Sequence, residues 1–150
     1  MLRRKEVIMS LAIIKSIIIL VFLLISTVLD IKNKNIPIIL ILICGAALLL
    51  LSILDQNMNW TVSLLGTLLG GILLLLSKIL NGAIGMGDGC IILLVGFVMG
   101  LYGGCVVLFY SLFLAAIFSV ILLCLKKCKK KDSIPFVPFV LISYLGVYLG

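Results

Sequence analysis

The fold of this chain is decided by residues 90–125, which read CIILLVGFVMGLYGGCVVLFYSLFLAAIFSVILLCL. No charged side chain interrupts this stretch, and a helix needs only about 20 apolar residues to cross a bilayer. The stretch is therefore too long for one ordinary span and is read as two helices. We expect the break between them at the glycine pair Gly103-Gly104, because glycine tolerates a sharp change of backbone direction.

The 150-residue chain as a whole has the composition of a membrane protein. Its residues are 65% hydrophobic and 11% charged, whereas about 25% of the residues of a soluble domain are charged. A soluble enzyme and a secreted disulfide scaffold are excluded, because the chain lacks the polar side chains to cover a globule in water. Six spans of about 20 residues each would use most of its length. We predict an all-α polytopic membrane protein, a bundle of about six transmembrane helices that forms a single domain over residues 1–150.

Four further apolar runs supply the other predicted helices, and they cover residues 7–29, 36–54, 61–80 and 134–150. Pro37 stands in the first turn of the second run, where proline fits a helix. The third run is followed by Asn81-Gly82-Ala83-Ile84-Gly85-Met86-Gly87-Asp88-Gly89. Its four glycines predict an irregular segment, because each glycine inside a helix costs about 1 kcal/mol relative to alanine.

Glycines at a spacing of four indicate close packing between helices. Gly66 pairs with Gly70 in this way, and Gly96 with Gly100 and Gly104. Small residues at this spacing let two membrane helices approach each other, so they predict packing rather than function.

The net charge of +7 predicts orientation in the membrane rather than nucleic-acid binding, because the cations lie between apolar runs and form no stripe with aromatic side chains. The loops after the first, third and fifth helices carry eight lysines, and these are Lys32, Lys34, Lys78, Lys126, Lys127, Lys129, Lys130 and Lys131. The other side carries Arg3, Arg4, Lys5 and Lys15. The positive-inside rule then places the lysine-rich loops in the cytoplasm. Lys15 lies within the first apolar run, and we expect its side chain to extend to the lipid headgroups.

The residue inventory limits the chemistry that is open to this chain. Histidine is absent, which removes the commonest general base and most zinc sites. The five cysteines form no CxxC pair and are expected to be reduced thiols that pack among apolar neighbours. We predict no metal and no cofactor.

The five acidic residues of the chain are Glu6, Asp30, Asp55, Asp88 and Asp132. Glu6, Asp55 and Asp132 are expected to be solvated loop charges. Asp30 and Asp88 each lie where an apolar helix meets an irregular segment, on the same side of the predicted bundle. A carboxylate at membrane depth is costly unless it is paired or used, although Asp30 could also be an interfacial charge beside neighbouring lysines.

Two carboxylates that approach at a partly dry site can share a proton. Such a pair can hydrolyse a peptide bond, one carboxylate taking a proton from water while the other donates to the carbonyl oxygen. Gly85, Gly87 and Gly89 would let a substrate backbone come close to Asp88. Nothing in the sequence itself requires Asp30 and Asp88 to meet.

Three motifs carry a resemblance to a known family. Gly85-Met86-Gly87-Asp88 resembles the GxGD signature of membrane aspartyl proteases. Asp30 followed by Ile36-Pro37 resembles the other aspartate motif of the type IV prepilin peptidases, and Ile134-Pro135-Phe136-Val137-Pro138-Phe139 is similar to the closing IPFxPF segment of that family. The three motifs occur in the family's order and extend over most of the chain.

The resemblance implies a membrane aspartyl endopeptidase with Asp30 and Asp88 as its catalytic pair. Its substrate would be the N-terminal leader of a type IV prepilin or pseudopilin, cut at the cytoplasmic face of the inner (plasma) membrane, and its other partner the lipid bilayer. The residues that would support the site are Gly85, Gly87, Gly89, Ile36, Pro37, Pro135, Phe136 and Pro138. No nucleic acid is implied, and the oligomeric state is left open.

This chain departs from the family pattern at two positions. Cys90 stands where family members usually have lysine, and Ile38 where they usually have asparagine; either change could alter substrate choice or the protonation of the pair. Larger relatives carry an N-terminal domain, often with CxxC motifs, that methylates the product. The chain shows nothing like it, so we expect peptidase activity without methyltransferase activity.

Two other interpretations remain open at this point. A protease of the presenilin or signal-peptide-peptidase type would have its first aspartate after tyrosine inside a helix, whereas Asp30 follows Leu29 at a predicted helix end. A non-catalytic membrane assembly subunit or small transporter would use Asp30 and Asp88 as a proton or cation site.

Overall fold

The structure, a computed structural model, describes residues 2–33, 36–55, 58–80, 85–125 and 135–150, with side chains from Ser10 onward. Every regular element in these ranges is a helix, so the all-α prediction is confirmed. The helices are α1 (Leu2–Asn33), α2 (Ile38–Leu54), α3 (Trp60–Ile79), α4 (Met86–Cys124) and α5 (Val137–Leu149).

Three segments are long and apolar enough to cross a membrane, and they are Ser10–Asn33 within α1, all of α3 and all of α4. The helices α2 and α5 are also apolar but have only 17 and 13 residues. Large apolar side chains on the outside of the bundle are exposed, among them Ile39, Leu75 and Phe109. An outer surface of this kind is compatible with lipid and not with water, as expected for a membrane protein.

Helix α4 is bent at Gly100, and the predicted break at Gly103-Gly104 is wrong. Gly100 has φ 74° and ψ −176°, in the region of positive φ that side chains other than glycine avoid. The residue pair 103–104 lies inside the helix that follows the bend. Gly104 instead lets the two arms of α4 touch, because a Cβ atom placed on it would lie 3.1 Å from the Cα atom of Gly96.

The most extensive helix–helix contact joins α3 and α4, and glycines make it possible. A Cβ atom on Gly66 would overlap the backbone carbonyl of Gly96, and one on Gly70 would overlap the backbone of Leu93. Lipid tails are as apolar as the helix surfaces, so helices in a membrane are held together largely by close packing. The packing that the glycine spacing predicts is therefore confirmed at Gly66, Gly70 and Gly96.

Lys15 and Asp55 form a buried ion pair, which corrects both predictions made for them. The Nζ atom of Lys15 lies 2.9 Å from Oδ2 of Asp55, with the two side chains 8% and 10% exposed. Lys15 does not extend to the headgroups and Asp55 is not a solvated loop charge. The physical reason is that a charge within a lipid-embedded bundle costs less when it is paired, and the turn after α2 brings Asp55 within reach.

The ion pair adjoins a cavity of about 290 Å³ that is also lined by Ser52 and Ser63. Lys15 precedes Asp30 by fifteen positions on α1, which is about 22 Å along a helix axis. The polar cavity and Asp30 therefore lie towards opposite ends of the bundle.

The glycine contact between α3 and α4 predicts a stability difference between two alanine substitutions on the same helix. Gly66→Ala should destabilise the protein by about 1–3 kcal/mol, the usual range for overpacking. Gly71→Ala is the matched control, because a Cβ atom there would have nothing within 4 Å. Thermal unfolding of the detergent-solubilised protein measures both, and equal unfolding temperatures for the two variants would contradict the packing.

The buried ion pair predicts that removing one of its two charges destabilises the fold more than removing both. Lys15→Met or Asp55→Asn alone should each cost about 3 kcal/mol, because each breaks a buried ion pair. The double variant should recover part of this loss. A double-mutant cycle of thermal unfolding tests the pair, and strictly additive effects would contradict it.

Candidate functional site

The site lies at the end of the bundle where α1 finishes and where α2, α4 and α5 begin. Asp30 is in the last turn of α1, and Ile36-Pro37 leads into α2. Asp88 is in the first turn of α4, and Pro135-Phe136 leads into α5. The contacts described next join these segments.

Asp30 is held by the beginning of α5. The backbone N–H of Val137 donates a hydrogen bond to Oδ2 of Asp30 over 3.1 Å, between residues 107 positions apart in the sequence. Asp30 is 8% exposed and Val137 is fully buried. A carboxylate in such a setting is stabilised by the N–H donor and by the positive end of the helix.

Asp88 is half-buried and lies close to the glycine that precedes its helix. Its own N–H donates to the carbonyl oxygen of Gly85 over 3.1 Å. A Cβ atom on Gly85 would lie 2.8 Å from Oδ2 of Asp88. The absence of a side chain at Gly85 therefore leaves an open space next to the Asp88 carboxylate.

Asp30 and Asp88 lie at the same end of the bundle, where the charge of Asp30 influences Asp88. The two residues come from different helices and are separated by α2 and α3 in the sequence. Two carboxylates that interact in this way, away from bulk water, can hold one proton between them. Such a pair is suited to acid–base chemistry on a bound substrate.

Gly87 and Gly89 fix the beginning of α4 against its neighbours. A Cβ atom on Gly87 would lie 3.2 Å from Cδ1 of Ile36, and one on Gly89 would lie 2.9 Å from Cδ2 of Leu74. The sequence suggested that these glycines leave room for a substrate backbone. In the structure, the room is used by Ile36 and by Leu74 of α3.

The prolines of the site mark the starts of two helices. Pro37 precedes α2, and its carbonyl oxygen accepts from the N–H of Leu40 over 3.0 Å. Pro135 and Phe136 precede α5, and Pro138 occupies its first turn; all three are half-buried. Ile134 lies outside the described residues.

The cysteines that the structure describes form no disulfide bonds. Cys44, Cys90, Cys105 and Cys124 are free thiols, while Cys128 and the lysines at 126–131 lie outside the described residues. Within the described ranges, no group of three or more His, Cys, Asp or Glu residues is arranged to hold a metal ion.

Sequence reasoning missed the backbone N–H of Val137 as part of the site. Every residue except proline has a backbone N–H, so the residue type at position 137 does not indicate a role for this group. Only the neighbouring sequence could have indicated it. The available hint is the pair Pro135 and Pro138, which predicts a helix start between them.

Comparison with known proteins identifies a family. The model of the type IV leader peptidase family matches residues 17–120, about two thirds of the chain. The matched range contains Asp30, Ile36-Pro37 and Gly85 to Asp88, and it ends before the segment that precedes α5. No curated protein and no solved structure matches the chain.

Proposed function

The chain belongs to the type IV leader peptidase family, and we propose that it is a membrane aspartyl endopeptidase in which Asp30 and Asp88 hydrolyse the peptide bond. Its substrates are proposed to be type IV prepilins or pseudopilins, from which it removes the N-terminal leader. The cut is made at the cytoplasmic face of the plasma membrane.

The observation that supports this proposal is that Asp30 and Asp88 lie at the same end of the bundle, beside the start of α5. The charge of Asp30 acts on Asp88, and the Val137 N–H holds Asp30 in place. These contacts join the three segments that resemble the motifs of prepilin peptidases.

The chemistry needs one carboxylate in each protonation state. The ionised carboxylate takes a proton from a water molecule as the water oxygen bonds to the scissile carbonyl carbon. The protonated carboxyl gives its proton to the carbonyl oxygen, and a tetrahedral diol forms. Positioned acid–base groups of this kind accelerate a reaction by about 10²- to 10⁴-fold each.

The other site residues fix the positions of the helix ends that carry Asp30 and Asp88. Ile36 packs against the Gly87 position, and Pro37 begins α2. Pro135, Phe136 and Pro138 define where α5 begins and so where its first N–H groups lie. Gly89 lets α4 approach Leu74, which fixes Asp88 relative to α3.

The orientation of the protein follows from its lysines. We propose that both arms of α4 cross the bilayer, which gives six spans and puts Asp30 and Asp88 at one membrane face. Lys32 and Lys78, near the ends of α1 and α3, favour the cytoplasm for that face by the positive-inside rule. A leader peptide that remains in the cytoplasm would reach the pair there.

Loss of either carboxylate should abolish cleavage. Asp30→Asn and Asp88→Asn should each lower cleavage of a co-expressed prepilin by at least about 100-fold, because the missing group is one of two acid–base catalysts. Asp132→Asn is the matched control and should cleave normally. Cleavage is measured in membranes as conversion of the prepilin to its shorter form, at equal levels of each variant.

Wild-type cleavage by either of the first two variants would contradict the proposal. Such a result would favour the alternative interpretation, in which Asp30 and Asp88 form a proton or cation site of a transporter.

The space at Gly85 predicts an effect on activity without an effect on folding. Gly85 has φ −60° and ψ 126°, which alanine adopts freely, so Gly85→Ala strains no backbone. Its methyl group would displace the Asp88 carboxylate and should lower kcat by about tenfold or more, since a misplaced catalytic group costs up to about 100-fold. Gly71→Ala should leave kcat unchanged. Equal kcat values in the two variants would show that the position of Asp88 does not matter.

A further inference from the structure

The first turn of α5 has very few free backbone donors. Phe139 and Val140 donate their N–H groups to the carbonyl oxygen of Phe136 over 3.0 and 3.3 Å. Pro138 has no N–H to donate. This leaves the N–H of Val137, the first residue of α5, as the donor that the turn can direct outside the helix.

That single donor is used by Asp30. The N–H of Val137 lies 3.1 Å from Oδ2 of Asp30, and the contact is buried. An N–H group can only donate, so Oδ2 of Asp30 is the acceptor in this contact. The positive end of α5 also attracts the carboxylate.

The environment of Asp88 is different. Its backbone N–H is bonded to Gly85, but within the described part of the chain no donor is bonded to its carboxylate oxygens. Asp88 also experiences the negative charge of Asp30. Among the described residues, the donor at the start of α5 therefore distinguishes Asp30 from Asp88.

We propose that the Val137 N–H is a positioning group that orients Asp30 as the water-activating base and leaves Asp88 as the proton donor. The inference rests on the proposed peptidase function and assigns the two roles that this function leaves open. In this proposal, the role of the segment from Pro135 to Pro138 is to present one backbone donor to Asp30.

The assigned roles balance over the whole reaction. Asp30 removes a proton from water, the water oxygen bonds to the carbonyl carbon, and Asp88 protonates the carbonyl oxygen. When the diol collapses, the carbon–nitrogen bond breaks and the leaving nitrogen receives the proton held by Asp30. One hydroxyl of the diol returns its proton to Asp88, so that both side chains regain their starting states.

The test removes the backbone N–H group of residue 137. Valine at position 137 is replaced by its α-hydroxy acid analogue, which converts the amide to an ester and keeps the side chain. We expect kcat for prepilin cleavage to fall about ten- to 100-fold, the value of a hydrogen bond to a charged group, with KM within about twofold of the wild type. The same replacement at Leu141, inside α5, is the control and should leave kcat near the wild-type value.

An unchanged kcat in the Val137 ester would overturn the inference, as would an equal loss in the Leu141 ester. The Asp30→Asn and Asp88→Asn variants provide the second measurement, which also decides the matter if the ester chain does not fold. Asp88→Asn keeps an N–H₂ group that can donate a hydrogen bond to the substrate carbonyl oxygen. Its residual kcat should therefore exceed that of Asp30→Asn by about tenfold, which corresponds to one hydrogen bond between uncharged groups. A residual activity that is equal, or higher in Asp30→Asn, would overturn the role assignment.

These outcomes distinguish a failure of this inference from a failure of the proposed peptidase function. Inactive Asp30→Asn and Asp88→Asn variants together with a fully active Val137 ester would leave the peptidase standing and remove the positioning role. Fully active aspartate variants would remove both.

Discussion

A carboxylate at the end of a lipid-embedded bundle is stable only where something replaces the water it has lost. For Asp30 the replacement is the Val137 N–H at the start of α5, a contact between residues at distant positions in the chain. This hydrogen bond ties α1 to α5 at the same end of the bundle as Asp88. The arrangement of the site depends on it, because it brings the first and the last helix together where the second carboxylate lies.

The second constraint is the close approach of α3 and α4. Gly66 and Gly96 remove the side chains that would keep these helices apart, and Gly89 continues the contact at Leu74 near the start of α4. Asp88 therefore stands on a helix end that is fixed on one side by α3 and on the other by Ile36. Such support suits the catalytic role proposed for Asp88, because catalytic groups must be held within a fraction of an ångström of their working positions.

Much of this could be predicted from the sequence. Long apolar runs predict helices, glycines four apart predict their packing, and the resemblance around Asp30 and Asp88 indicates the family to which the chain belongs. What could not be predicted depends on three-dimensional neighbours. Lys15 was expected at the headgroups because its partner Asp55 is forty positions away. The bend falls at Gly100, which has a φ of 74°, whereas Gly104 packs against Gly96. The Val137 donor belongs to the main chain.

The most direct test of the account is whether the two positions meet in the native membrane. In a background without the five native cysteines, Asp30→Cys and Asp88→Cys are combined, and mild oxidation is followed by digestion between the two positions. The account predicts a disulfide that holds the fragments together, while the pair Asp55→Cys with Asp88→Cys, placed towards opposite ends of the bundle, gives none. Absence of the disulfide between positions 30 and 88, in a chain that is folded and inserted, would contradict the claim that one site contains both carboxylates.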